Sequence, residues 1–265
     1  MLESREVFTQ GSVVLLFKSI LEGKSDVAGA DDKRKAPRYP LGDSFAFKTK
    51  LALFQHNGVK LPEGKPKEWS ATAVNLSATG ASVQLSMAAV AFAKEKCRLK
   101  FSRADYVLEI PATIAHFRCY SQYSLCGVVF NFPSAEVQQA YSQLLEPIVL
   151  GSSLARVEAV QNTPGQIMEQ FVGVNSALTI WRDGPEGPIT GFDFRMRKYA
   201  VRWAEGEAEL ELYAVADGKV GGPDELVALT GEQHDEVHWL FCLSVPNLSK
   251  AVPVDVRKFL SGMVA

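Results

Sequence analysis

The chain has 265 residues, 47% hydrophobic and 22% charged, which is enough for one large core or two small ones and excludes a disordered or fibrous chain. Its formal net charge of −2 excludes a dedicated nucleic-acid binder of the strongly basic kind, so any anion site must be a local basic cluster. Cys97, Cys119, Cys126 and Cys242 form no Cys-x-x-Cys pair and no His/Cys zinc spacing, so reduced thiols in a cytoplasmic protein are expected.

Near the start, the apolar residues from Val13 to Phe17, with Ile20 and Leu21, are too few to span a bilayer. No basic segment precedes them and no small-residue cleavage site comes after. They read as a short helix over residues 13–21, in a chain that does not engage a membrane. Residues 22–32 are rich in Gly, Ala, Ser and Asp and read as a linker. The next segment is a charged run that contains Pro37, with Pro40 close behind. These prolines disfavour helix and keep the backbone extended. Lys33, Arg34 and Arg38 are therefore expected on a loop that leads into a strand.

From Phe45 the pattern has period two. Phe45, Phe47, Thr49, Leu51 and Leu53 alternate with Ala46, Lys48, Lys50 and Ala52, as in a strand with one buried face. Residues 56–67 hold an Asn-Gly pair, two prolines and another glycine, and read as a turn-rich excursion. Further strands are expected at 69–74, 81–85, 97–101, 106–117 and 125–132. Many short strands with regular turns indicate a small antiparallel barrel. Pro133 ends the series, and Ser134 can cap a helix over 135–145 whose apolar stripe is Val137, Tyr141, Leu144 and Leu145. Pro147 is expected to kink or end it.

Beyond Gly151 the periodicity predicts helices at 153–160 and 165–171, then strands at 177–181, 189–204, 207–215 and 237–245. A closing helix over 256–263 has Asp255 as its candidate cap. A two-residue turn at Glu205-Gly206 would pair Trp203 with Ala208, Val201 with Leu210, Tyr199 with Leu212 and Arg202 with Glu209, consistent on both faces. The second half therefore reads as a separate α+β domain with an antiparallel sheet. The expected division is an N-terminal helix and linker over 1–30, a barrel over 31–148 and the second domain over 149–265.

Two segments carry chemistry. One is Lys33-Arg34-Lys35-Ala36-Pro37-Arg38-Tyr39; the other is Asn75-Leu76-Ser77-Ala78-Thr79-Gly80. An Arg-x-x-x-Arg loop entering a barrel, then Asn-x-Ser-x-x-Gly between two strands, then a closing strand Cys126-Gly127-Val128-Val129-Phe130, resembles the PilZ domain family. The resemblance covers about residues 31–148. It implies a six-stranded antiparallel barrel and a cytoplasmic receptor for cyclic di-GMP, a bacterial second messenger, needing no other cofactor.

On that resemblance Arg34 and Arg38 hold the ligand, and their chemistry suits it. A guanidinium binds phosphate or guanine O6 and N7 through two parallel bonds and stacks on purines, where lysine is only a point charge. Lys33 adds charge beside them. Asn75 stands where the family often has Asp, and it can still accept through its amide oxygen. Ser77 would offer a hydroxyl, and Gly80 would let the backbone turn and approach the ligand. Ligand binding would reorient the domains and signal to a protein partner through the C-terminal domain. The alternative is a degenerate PilZ-type adaptor that binds protein partners without nucleotide.

Nothing in the sequence indicates catalysis. There is no nucleophile elbow, P-loop or Gly-x-Gly-x-x-Gly. His234, Glu236 and His238 share a face if they begin a strand, but they are not His-Glu-x-x-His, and no metal is expected.

Overall fold

The computed structural model describes residues 36–42, 45–56, 59–62, 66–157, 160–163, 166–185, 187–215 and 226–264. The helix expected at 13–21, the linker at 22–32, and Lys33 and Arg34 lie outside the described residues. The chain divides into two compact units, one of residues 1–41 and 46–145, the other of residues 42–45 and 146–265.

In the first unit, alternating apolar residues form β1 (Tyr39–Pro40), β2 (Lys48–Leu53), a small hairpin of β3 (Gln55–His56) and β4 (Val59–Lys60), then β5 (Lys67–Ser77), β6 (Gly80–Ser86), β7 (Lys96–Arg103), β8 (Tyr106–Cys119) and β9 (Tyr123–Phe130). Six of them close an antiparallel ring in the order β5-β2-β7-β8-β9-β6, with β6 returning to β5. Closure leaves no open sheet edge. The inward positions fill the interior: Leu51, Leu53, Leu76, Val83, Leu99, Phe101, Ile110, Ile114 and Cys126 are each at most 1% exposed.

The long strand β5 is shared along one edge. Its first part, from Lys67 to Ala71, pairs with β2. Farther along the same edge, Asn75 and Leu76 pair with β1. The chain thus enters the barrel where β2 has left β5 uncovered.

Helix α1 (Ala135–Ser152) comes next. It buries Tyr141, Leu144 and Leu145 as expected, but Pro147 does not end it. Proline in a helix interior costs about 3 kcal/mol. Ile148, Val149 and Leu150 beyond it are at most 2% exposed, and each buried side chain of this kind returns about 1.5–3 kcal/mol.

The second unit is an antiparallel sheet of β10 (Ala155–Arg156), β11 (Val160–Thr163), β12 (Gln166–Gly173), β13 (Ser176–Asp183), β14 (Ile189–Met196), β15 (Tyr199–Ala204), β16 (Glu211–Val215) and β17 (Leu226–Ala228). The order is β10-β12-β13-β14-β15-β16-β17, with β11 also on β12. Helices α2 (Gly231–Ser244) and α3 (Val254–Met263) complete it. Phe171, Leu178, Phe192 and Phe194 from the sheet share one core with Phe241, Val256 and Leu260 from the helices.

The structure corrects further expectations, beginning with residues 189–204, which form two strands, β14 and β15, rather than one. Where helices are expected at 153–160 and 165–171, the described residues hold strands: β10 pairs with β12, and β12 pairs in unbroken register with β13 over eight residues. Residues 237–245 are helix rather than strand. An apolar run fits either period, and the Thr230 N–H bonded to Gln233 Oε1 at 2.9 Å starts a helix. The β15–β16 hairpin is slid by two residues, pairing Val201 with Leu212 and Arg202 with Glu211. A two-residue slip keeps every side chain on its face, so alternation alone does not detect it. Asp255 is inside the first turn of α3 rather than its cap, and its carboxylate is held by Arg182.

Candidate functional site

Of the two arginines singled out, the described one is Arg38. It is exposed and immediately precedes β1. Tyr39 pairs with Leu76 and Pro40 with Asn75, and the Leu41 N–H donates to the Val74 carbonyl at 3.0 Å. The end of the arginine loop is thereby bonded alongside the Asn-x-Ser-x-x-Gly motif.

That motif is the tight connection between β5 and β6. Ser77 pairs with Gly80 across it. Ser77 is 6% exposed, and its hydroxyl donates to the Gly80 carbonyl at 3.1 Å. The Ser77 carbonyl accepts a 2.7 Å bond from the Tyr141 hydroxyl of α1. The serine's proton is therefore committed within the turn, which leaves its oxygen lone pairs as its only offer to a ligand.

Gly80 also has a structural reason. A Cβ there would lie 2.2 Å from the Val128 carbonyl oxygen. Its backbone has no left-handed φ; glycine is needed because β6 and β9 approach too closely for a side chain.

Asn75 is aimed by a bulge. In β5 the register shifts between Ala73 and Asn75 by one residue, Val74. An inserted residue reverses the facing of every later residue in the strand. Ala73 faces inward at 7% exposure, and Asn75 joins the outer face opposite Ser82. The Asn75 side-chain oxygen is buried without a hydrogen-bond partner.

A second bulge mirrors the first. In β8 the register shifts between Ile114 and His116. Strict alternation would put Ile114 and His116 on one face; the extra residue, Ala115, keeps Ile114 inside and places His116 opposite Gly127 on the outside. Successive pairings align Pro40, Asn75, Ser82, Gly127 and His116 in one row across five strands. From Asn75 to His116 is three strand spacings, roughly 14 Å. The floor between them is serine and glycine.

At Gly127 a Cβ would lie 2.1 Å from Cε1 of the His116 ring, so the glycine makes room for the imidazole. Burial, and then the positive charges of Arg38 and Arg118, hold His116 below the usual imidazole range. Arg38 and Arg118 therefore act on the same ring. Ser82, Gly127, His116 and Arg118 complete the surroundings of the two motifs, and neither motif contains them. Ser82 lies two residues past Gly80, and Gly127 begins the closing Gly-x-x-Phe strand, so both adjoin segments that stand out in the sequence. Nothing in the alternation of β8 announces the bulge that exposes His116.

Other candidates do not converge. Among the described residues no group of three His, Cys, Asp or Glu side chains is placed to hold a metal ion. His234, Glu236 and His238 lie on α2, where His238 contacts Cys242 instead. Burial pushes the Cys97 and Cys126 thiols up to about 12, which keeps them from acting as thiolates. No helix among the described residues is long and apolar enough to cross a membrane.

The first unit is thus a closed six-stranded antiparallel barrel with arginine, asparagine and histidine around a small-residue floor. Residues 32–146 match the family model of the PilZ domain, and the first unit of this chain is a PilZ domain. No curated protein matches the chain. Among solved structures the chain is similar to the crystal structure of the Borreliella burgdorferi PlzA protein in complex with c-di-GMP. Identity is 9% and the TM-score 0.26, over 77% of this chain and 93% of that one.

Proposed function

We propose that this protein is a cytoplasmic receptor for cyclic di-GMP, without catalytic activity of its own. Its PilZ barrel holds the ligand between the arginine loop and the turn at residues 75–80. The observation that carries this reading is the pairing of β1 with β5, which brings Arg38 to the motif of Asn75. Two guanidinium groups suit a ligand with two phosphodiesters and two guanines, by bidentate bonds and by stacking. The buried, unpartnered oxygen of Asn75 is an acceptor for a guanine N–H edge. A buried acceptor left unmade costs about 1–3 kcal/mol, which a ligand donor would recover.

In this reading Lys33 and Arg34 close over the ligand together with Arg38. The C-terminal unit then changes its arrangement and engages a protein partner. The ligand shifts that equilibrium only by its difference in affinity for the two arrangements.

Calorimetric titration of the full chain with cyclic di-GMP tests the proposal. Wild type should bind, with Arg34→Ala and Arg38→Ala each weakening binding by about 2–5 kcal/mol, roughly 30-fold to a few thousand-fold. No heat from the wild-type protein overturns the proposal and leaves the adaptor reading.

A further inference from the structure

We infer that His116 is a further ligand-contacting residue, whose imidazole closes the far end of the Asn75, Ser82 and Gly127 row and takes up a proton as the phosphate-bearing dinucleotide binds. The inference rests on the cyclic di-GMP reading and adds a side chain that neither sequence motif contains.

The position of His116 is built rather than incidental. The Ala115 bulge interrupts the ladder between β8 and β9, yet it is clamped from its other side. The Lys94 N–H donates to the Ile114 carbonyl at 2.7 Å, and the Ile114 N–H donates to the Glu95 carbonyl at 2.9 Å. Below the ring, Gly127 keeps the space that any Cβ would occupy, with Cε1, Nδ1 and Nε2 at 2.1, 2.6 and 2.6 Å from that point. The imidazole therefore lies nearly flat over Gly127, with Cε1 closest and both ring nitrogens directed sideways at its rim. A phosphate oxygen or a guanine O6 over the row can be met by a ring N–H. Protonation makes both ring nitrogens donors, and a charge-assisted bond is stronger than a neutral one.

The surroundings set the sign. Arg38, ahead of β1, and Arg118, two residues farther along β8, both oppose a third positive charge on the ring. The outward residues of β9, Leu125, Gly127 and Val129, carry no charge, and neither do Ser82 and Gln84 of β6. Lys94 and Glu95 flank the clamped bulge with opposite charges. Without ligand the imidazole is thus biased toward its neutral form, by burial first and then by the two arginines. A phosphodiester against Arg38 replaces a repulsive field by an attractive one and raises the ring's proton affinity. Ligand and proton then favour each other's binding reciprocally.

The test is calorimetric titration of the full chain with cyclic di-GMP, near the usual imidazole pKa of about 6.5, in buffers of different ionisation heat. The expected result is net uptake of part of one proton per ligand, with affinity falling by up to about tenfold per pH unit as pH rises through that range. His116→Ala should abolish the uptake and weaken binding about tenfold or more. Gly127→Ala, which forces the ring off its seat, should reproduce both losses with the barrel still folded by circular dichroism. Imidazole titration by NMR, with and without ligand, reads the same linkage in the wild-type protein whether or not the variants fold. Binding without proton uptake, or a His116→Ala protein that binds as tightly with uptake intact, overturns the inference and leaves the receptor reading standing. Absence of wild-type binding at every pH overturns the receptor reading beneath it.

Discussion

The row from Asn75 to His116 on the barrel and the sheet of the second unit use charge differently, although elsewhere the barrel too pairs its charges, Lys50 with Glu68 and both Arg98 and Lys100 with Glu109. In the second unit, charges are compensated where they lie. Arg182, with its side chain 8% exposed, pairs with Glu169 at 2.9 Å and Asp255 at 2.5 Å. Arg156 meets the other Glu169 oxygen at 2.7 Å, and Asp193 takes two bonds from Arg202 at 2.9 and 2.6 Å. In the barrel, Arg38 and Arg118 act with like sign on the imidazole at one end of the row, and at the other end a buried amide oxygen has no partner. Compensated charges hold a fold together; a buried acceptor left unmet is a bond that a ligand donor can recover.

The sharpest way to break this comparison is Arg182→Ala. Removing one member of a buried ionic network costs about 3–5 kcal/mol, because Glu169, with its side chain 10% exposed, then keeps only Arg156. Urea unfolding monitored by the fluorescence of Trp181 and Trp203 should show the loss, with the ligand affinity of the folded protein unchanged. Arg38→Ala should do the reverse: stability without ligand should move by less than about 0.5 kcal/mol, as for an exposed surface substitution, while ligand binding suffers the large loss. A protein in which Arg38→Ala unfolds the barrel and leaves binding intact would invert the assignment.

Gly80→Ala separates the two roles inside one motif. The new Cβ would meet the backbone of β9, which cannot step aside as a side chain can, and overpacking of this kind costs about 1–3 kcal/mol. Thermal melts should fall even without ligand, which a purely ligand-contacting glycine would not produce.

The smallest effect is expected at Glu146, a buried residue of α1 paired with Arg197 at 2.9 Å. Burial raises its carboxyl above the usual range despite the arginine. The folded state then holds the proton more tightly than the unfolded one. Its contribution to stability is present below the unfolded pKa and is lost as pH rises through the folded one. Glu146→Gln should therefore match or exceed wild type at neutral pH, by less than about 1 kcal/mol. The difference should vanish below about pH 4.5, where the acid is neutral in both states. Urea midpoints measured across that range check the sign.

The barrel was legible because strands facing a single core repeat every two residues. Each strand expected between residues 45 and 132 is found, with ends displaced by a few residues. The second unit was less so. Residues 237–245 are apolar enough for either period, and the capping box that starts the helix, at Thr230 and Gln233, lies upstream of that run. The packing of Val237, Leu240 and Phe241 on the sheet makes them helix. The hairpin after Ala204 kept its facing but not its register, since a slip of two residues changes no face. In the site, Arg38 and the Asn75 motif stood out by residue type and spacing. Ser82, Gly127 and His116 did not, because what unites them is the lateral pairing of three strands, β6, β9 and β8.

By itself the sequence determined which residues are apolar, where turns and prolines interrupt them, and that two arginines precede a barrel with an Asn-x-Ser-x-x-Gly turn. Those are local properties, set by side-chain chemistry and by the period of the backbone. The tertiary structure alone decided that β1 borders Asn75, that two single-residue bulges turn Asn75 and His116 to the same outer face, and that Gly127 leaves room for a ring. Such features depend on hydrogen bonds between residues far apart in the chain, and a one-residue insertion that reverses a strand's facing leaves no mark on the composition around it.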